Sequence, residues 1–280
     1  MRNFYSFLTE VEAPGVIDAE ASLYNYQRQI SQLSWEATRD LGPKIRMSYL
    51  THKNYLGVFS FRIRKGEKIE KFPVDIKYKE NSTKGLCYLE GMVIEINSFF
   101  FDEENWTNTN FAETLSHELN HAVDYVNGVA DKQLTRSKFT KGTEISYWYG
   151  NYEFRSLCMA MRMNMESKMR GFTIEGKGVE PEVIVPKLEQ YVELAKKDIL
   201  MGDWRRKRTP EQTSDLMRTR QGERILAMAL FGKENYDILM KWWKTPIYKK
   251  FVEYMDELSK EWRRDYVLTG LVGCFRSRLS

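Results

Sequence analysis

Asn110-Phe-Ala-Glu113-Thr-Leu115-Ser-His117-Glu118-Leu119-Asn120-His121-Ala-Val-Asp124-Tyr-Val-Asn127-Gly128 is the stretch on which the reading of this chain turns. Phe111, Leu115, Leu119, Ala122 and Val126 recur at the spacing of a helix and form one apolar stripe, while His117, His121, Asp124 and Gly128 fall roughly opposite. Asn110 with Glu113 three residues on has the pattern of a capping box, and Gly128 supplies a stop. The pattern predicts a helix with His117, Glu118 and His121 in its middle, one face toward a core and the other toward a cleft.

Histidines four residues apart on a helix lie one turn apart on the same face, so both imidazoles reach one metal ion. A glutamate beside the first histidine is then placed to take a proton from a water that zinc has acidified, which is the chemistry of amide hydrolysis. The five-residue pattern alone arises by chance in on the order of one chain in a hundred of this length. Its position in the middle of a capped, amphipathic helix gives it weight, as does the placing there of two of the chain's only three histidines. A catalytic zinc site needs a third protein ligand and an open position, and the candidates for that ligand are carboxylates.

With these residues the chain resembles the zincin metallopeptidases, specifically the glutamate-ligand (gluzincin) branch and its short intracellular members in bacteria and phages. The resemblance covers residues 91 to 160, with five diagnostic positions. It implies that a glutamate on the next helix completes the zinc site. Glu153 fits, because Ser156 and Ala160 follow it at helical spacing and their small side chains allow close packing on the motif helix. Glu144, in a loop or at a helix start, is the competitor. Asp124 and Asn127 depart from the metzincin continuation, which needs Gly and then His or Asp at those positions. Asp124 is left either to orient a ligand or to face solvent. The resemblance also casts Gly91-Met-Val-Ile-Glu-Ile-Asn97 as an edge strand above the metal that pairs with an extended substrate, the alternative being an interior strand without that role. Tyr147, Tyr149, Tyr152 and Arg155 are the available donors to a developing oxyanion.

Outward from the motif, the texture divides the chain. Leu23, Tyr26, Ile30, Leu33 and Ala37 predict a helix from Ile17 to about Asp40, stopped by Gly42-Pro43. Ile45–Leu50, Val58–Ile63, Val74–Tyr78 and Met92–Ile96 are short, β-branched or aromatic, and predict a sheet of about four strands. Past the motif helix the pattern is helical over 151–170, 182–201, 210–231 and segments of 234–268, with Val129–Tyr149 as a loop bordering the cleft. The expected fold is α+β: a zincin-like small mixed sheet with motif helix and ligand helix in residues 1–175, and a helical extension over 176–280.

A chain of 280 residues, 42% hydrophobic and 29% charged, buries a full core without staples. Cys87, Cys158 and Cys274 are too few and too scattered for a disulfide framework, and an early acidic N-terminus with no long apolar run predicts neither export nor a membrane span. The expectation is a cytoplasmic protein, or one carried in a phage particle. Of the net charge of +4, residues 201–280 contribute +6 and the remainder −2. Arg205–Arg208 and Lys241-Trp-Trp-Lys244 interleave bases with aromatics as nucleic-acid grips do, but Glu253, Asp256, Glu257 and Glu261 follow at once and favour a solvated helix face. His52 reads as a surface residue, and Met159, Met161, Met163, Met165 and Met169 as core filling. The function expected is a zinc-dependent peptidase with Zn2+ on His117, His121 and Glu153, Glu118 as base and a polypeptide as substrate. An interaction protein that keeps the metal without turnover is the contrasting reading, as is a zinc amidase acting on another amide.

Overall fold

A computed structural model of the chain describes residues 11–51, 55–77, 85–89, 92–97, 108–128, 151–169, 181–201 and 207–276. The described chain is α+β, and it divides into two compact units, Met1–Met163 and Asn164–Ser280. The expected boundary near residue 175 lies outside the described residues.

The first unit is built on a five-stranded mixed sheet of β1 (Val11–Asp18), β2 (Tyr55–Lys65), β3 (Lys68–Lys77), β4 (Gly85–Tyr88) and β5 (Val93–Asn97), in the order β1-β2-β3-β5-β4. β2 and β3 form a hairpin in which Lys65 faces Lys68 across Gly66 and Glu67. Gly66 at φ 56° supplies the left-handed backbone that so tight a turn requires. β1 runs parallel to β2 and β5 parallel to β3, while β4 returns antiparallel along β5. Alternation turns Phe59, Phe61 and Ile63 of β2, Phe72 and Val74 of β3, and Ile94 and Ile96 of β5 into one buried face.

That face is covered by α1 (Leu23–Thr51) and α2 (Asn108–Val126). Tyr26, Ile30, Leu33 and Ala37 enter the core from α1; Phe111, Ala112, Leu115, Leu119, Ala122 and Val123 enter from α2, and Met159 and Met163 from α3 (Asn151–Met169). Fully buried side chains of this size are worth roughly 1.5–3 kcal/mol each, so this cluster carries the stability of the unit.

Three expectations need correction here. Ile17 lies in a strand, not at a helix start: β1 was concealed by Ala13-Pro14-Gly15, which the edge position accommodates through a register shift between Glu12 and Val16 and Gly15 at φ 117°. α1 does not stop at Gly42-Pro43 but continues to Thr51, taking in the expected strand Ile45–Leu50. Pro43 removes one backbone donor, but the residue before it is glycine, which has no Cβ to clash with the proline ring, and Arg46, Met47 and Leu50 are good helix formers. α2 begins at Asn108, so Asn110 lies inside its first turn rather than capping it; Gly128 at φ 72° does close it, its N–H bonded to the Tyr125 carbonyl at 3.0 Å.

The second unit contains α4 (Pro181–Met201), α5 (Pro210–Phe231), α6 (Lys233–Trp242) and α7 (Pro246–Arg276). Three of these start on proline, whose missing N–H is one the first turn leaves unpaired anyway. Thr209 and Gln212 close a capping box ahead of Pro210. Tyr191, Phe231, Trp242 and Phe251 meet edge-on or tilted at the centre, with ring centroids 5.1–6.4 Å apart. No helix among the described residues is long and apolar enough to cross a membrane.

Candidate metal centre

Both histidines sit where the helical spacing puts them. On α2 the His117 and His121 rings stand nearly perpendicular, at 83°, with centroids 4.7 Å apart and Nε2 atoms separated by 3.1 Å. Glu153, in the first turn of α3, faces both: one carboxylate oxygen lies 3.7 Å from His117 Nε2 and the other 3.6 Å from His121 Nε2. Ligand atoms of the three residues all lie within 4.8 Å of one another, so the group can hold one metal ion. A tetrahedral ion bonded at about 2.0–2.2 Å sets its ligands about 3.3–3.6 Å apart, close to the 3.1 Å between the Nε2 atoms and to the approach of one carboxylate oxygen to each ring.

Both imidazole donors are in the protonation state a cation requires. Burial, opposed by a hydrogen bond with the Ser156 backbone, holds His117 down at about 4. Burial and the neighbouring His117 push His121 well below its ordinary value. Both imidazoles are therefore neutral at pH 7 with a lone pair to give. The His117 side chain keeps 22% of its surface accessible against 5% for His121 and Glu153, so the group opens to solvent on the His117 side.

Glu118 is 7% exposed and lies toward β4. A Cβ at Gly85 would come within 2.8 Å of the Glu118 Oε1, 2.9 Å of its Cγ and 2.9 Å of Thr114 Cγ2, so glycine is what lets the strand lie against the carboxylate. Burial and the charge of Glu153 raise Glu118 to about 8, opposed by a hydrogen bond from the Cys87 backbone. A carboxylate held this way, beside a metal-ligand cluster, has the perturbed affinity for protons that acid–base work uses.

Several expectations fall out differently. The face of α2 that carries the histidines is not open along its length: Asp124 is fully buried and His121 nearly so, while His117 stays partly accessible and Gly128 is exposed. Asp124 does not face solvent; it accepts from Tyr26 at 2.9 Å and Asn120 at 3.1 Å and pairs with Arg155 at 3.0 Å. Arg155 is engaged there and with the Tyr26 hydroxyl, away from the oxyanion role weighed for it. The strand expected at the edge, β5, is interior, between β3 and β4; the edge of the described sheet beside Glu118 is β4. Met159, Met161, Met163 and Met165 are fully buried core residues. Glu144, Tyr147, Tyr149 and His52 lie outside the described residues, as does Arg205. Trp242 is buried, and the Trp243 ring has the Arg220 guanidinium and the Lys244 ammonium each 4.3 Å from its centroid, so neither is a bare stacking platform.

Sequence reading missed Gly85 and β4, which four residues with one glycine do not announce. It also missed the polar residues behind His121. Gln27, a polar residue set beside the apolar run of α1, was the available signal for those. Comparison of the chain with protein-family models, with curated proteins and with solved structures finds no match.

Proposed function

We propose that this protein is a zinc-dependent peptidase. The observation that carries the reading is the convergence of His117, His121 and Glu153 on one small volume, with the Glu118 carboxylate held next to them. Two neutral imidazoles and one carboxylate are a donor set suited to zinc, with room for a further position on the exposed His117 side. When bound, zinc supplies a Lewis acid that acidifies water and polarises a carbonyl.

His117 and His121 would hold the ion through Nε2 and Glu153 through its carboxylate. Glu118 accepts a proton from the attacking water at a carboxylate oxygen and returns it to the leaving nitrogen. Its side chain is confined for this by the strand surface at Gly85. The charge of a cation close by favours the carboxylate form of Glu118 and so opposes the burial that raises it. A polypeptide is favoured as substrate because β4 is the strand at the edge of the described sheet beside Glu118, and an extended backbone adds at a sheet edge.

The contrasting reading, metal binding without turnover, does not account for Glu118. A buried carboxylate raised to about 8 costs stability, and holding a metal on the other three residues does not require it. The test is cleavage of a mixed peptide library by zinc-loaded protein, followed by mass spectrometry. Glu118→Gln is expected to keep its zinc and lose at least 100-fold in rate, in keeping with the roughly 10²–10⁴ that a general base contributes. Equal cleavage by wild type and Glu118→Gln rejects the assignment of the base.

A further inference from the structure

Behind the two histidines lies a polar network that the proposed reaction does not use directly. Ser156 Oγ is 3.0 Å from His121 Nδ1 and 3.2 Å from Asn120 Nδ2. Asn120 Nδ2 also donates to Asp124 Oδ2 at 3.1 Å, and its Oδ1 accepts from Gln27 Nε2 at 2.8 Å. Ser156, Asn120, Asp124 and Gln27 are each completely buried, with Tyr26 at 1%. Buried polar groups are costly unless every member is satisfied, and a satisfied network of this kind holds its members in one arrangement.

The directions of these bonds follow from one fixed point. Gln27 Nε2 donates at 3.0 Å to the carbonyl of Arg155, which only accepts, so that end of Gln27 is its NH2 group. The atom of Asn120 it meets is therefore the amide oxygen, and the Asn120 NH2 is the end turned to Asp124 and Ser156. Ser156 Oγ consequently receives an N–H from Asn120 and keeps one lone pair and one proton for His121. With Nε2 of His121 turned toward His117 and Glu153, a metal on that nitrogen requires the proton to sit on Nδ1. Ser156 Oγ is the acceptor in reach of it.

We infer that Ser156 is a positioning residue of the metal centre: its hydroxyl fixes His121 with Nε2 toward the ion, and the Gln27–Asn120 clamp holds Ser156. The sequence motif asks only for a small residue three after Glu153; the geometry asks for a hydroxyl. The inference rests on the metal-centre reading above and concerns how tightly, not whether, the three ligands hold zinc.

Ser156→Ala is the direct test, since alanine keeps the small volume and favours the helix. Ser156→Thr restores a hydroxyl as the matching rescue. Zinc dissociation constants are measured by competition with a chromophoric chelator, and the histidine Nδ1 and Nε2 signals of the zinc-loaded proteins by 15N NMR. Loss of an outer hydrogen-bond partner typically weakens metal binding 10–100-fold. The expected result is a loss in that range for Ser156→Ala, an altered His121 Nδ1 signal with the His117 Nε2 signal still that of a ligand, and tighter binding by Ser156→Thr than by Ser156→Ala. Wild type that binds zinc with Ser156→Ala equal to it within twofold, both proteins showing the same circular dichroism, overturns the positioning role while leaving the metal centre standing. Wild type that binds no zinc overturns the metal centre itself, and this inference with it.

Discussion

Gly85 and Glu118 form the tightest juxtaposition at the site, and neither backbone strain nor a turn explains the glycine. It is there because a Cβ would run into the Glu118 side chain and Thr114. Gly85→Ala should therefore push the carboxylate out of place while leaving the three ligands where they are. The expected outcome is unchanged zinc stoichiometry with peptidase activity reduced on the order of 100-fold, the scale on which misplacing a reacting group by about 1 Å is felt. Full activity in Gly85→Ala would remove the strand from the account of how the base is held. At this scale the sequence was most informative where chemistry restricts residue type: His117, Glu118 and His121 were read from spacing alone, and Glu153 from the resemblance and its small followers. Ser156 was read only for its size, because a hydroxyl's partner 35 residues away leaves no local trace. Gly85 was not read at all, since the atoms it makes room for belong to another element.

Among the elements, α2 is where the expectation and the structure agree best, because a strongly periodic segment that packs on a sheet obeys its own pattern. α1 shows the reverse. Its stop at Gly42-Pro43 and the strand after it were reasonable from local propensity, but a helix already formed for five turns is not ended by one missing donor when glycine precedes the proline. β4 and β1 were missed because each is short or interrupted and lies at an edge, where pairing with a neighbour defines the strand more than its own residues do. The three helices are tied together by Tyr26 of α1, Asp124 of α2 and Arg155 of α3. Asp124→Ala would leave the Tyr26, Asn120 and Arg155 donors that meet on this carboxyl without their acceptor, and a buried donor left unmet typically costs about 1–3 kcal/mol. Urea unfolding of that variant should show a loss in this range; a loss below about 1 kcal/mol would mean the ion pair does not secure the helices. The Asp124 carboxylate, weighed in the sequence between a supporting role and solvent, is a structural strut linked to His121 through two residues, Asn120 and Ser156.

Taken as a whole, the chain carries its candidate chemistry in the first unit, and in the second a core that is helical among the described residues. The second unit has its own titrating centre. Tyr248 donates to Glu223, and the Tyr191 hydroxyl lies 3.5 Å from that of Tyr248. Burial, opposed by the Tyr248 hydrogen bond, raises Glu223 from 4.5 to about 7. A raised carboxyl binds its proton more tightly in the folded state, so its contribution to stability is greatest below about 4.5 and is lost as the pH rises to about 7. The loss is at most about 3 kcal/mol. Glu223→Gln keeps an acceptor for Tyr248 without the charge. The difference in unfolding free energy between variant and wild type should therefore grow in the variant's favour from pH 5 to pH 7.5; a constant difference over that range would place the proton elsewhere. The legible part of the whole was its α+β class. The sheet order was not legible, because the pairing of β3 with β5 and of β5 with β4 is decided by the buried face they share and not by sequence adjacency.

The central claim, that His117, His121 and Glu153 hold zinc, is tested most directly by metal analysis of the purified protein by mass spectrometry, with His117→Ala, Glu118→Gln and Glu153→Ala alongside. Near-stoichiometric zinc in wild type and Glu118→Gln, and its loss in His117→Ala and Glu153→Ala, is the predicted result. Wild type without zinc after reconstitution, or Glu153→Ala retaining it at full stoichiometry and affinity, would contradict the account.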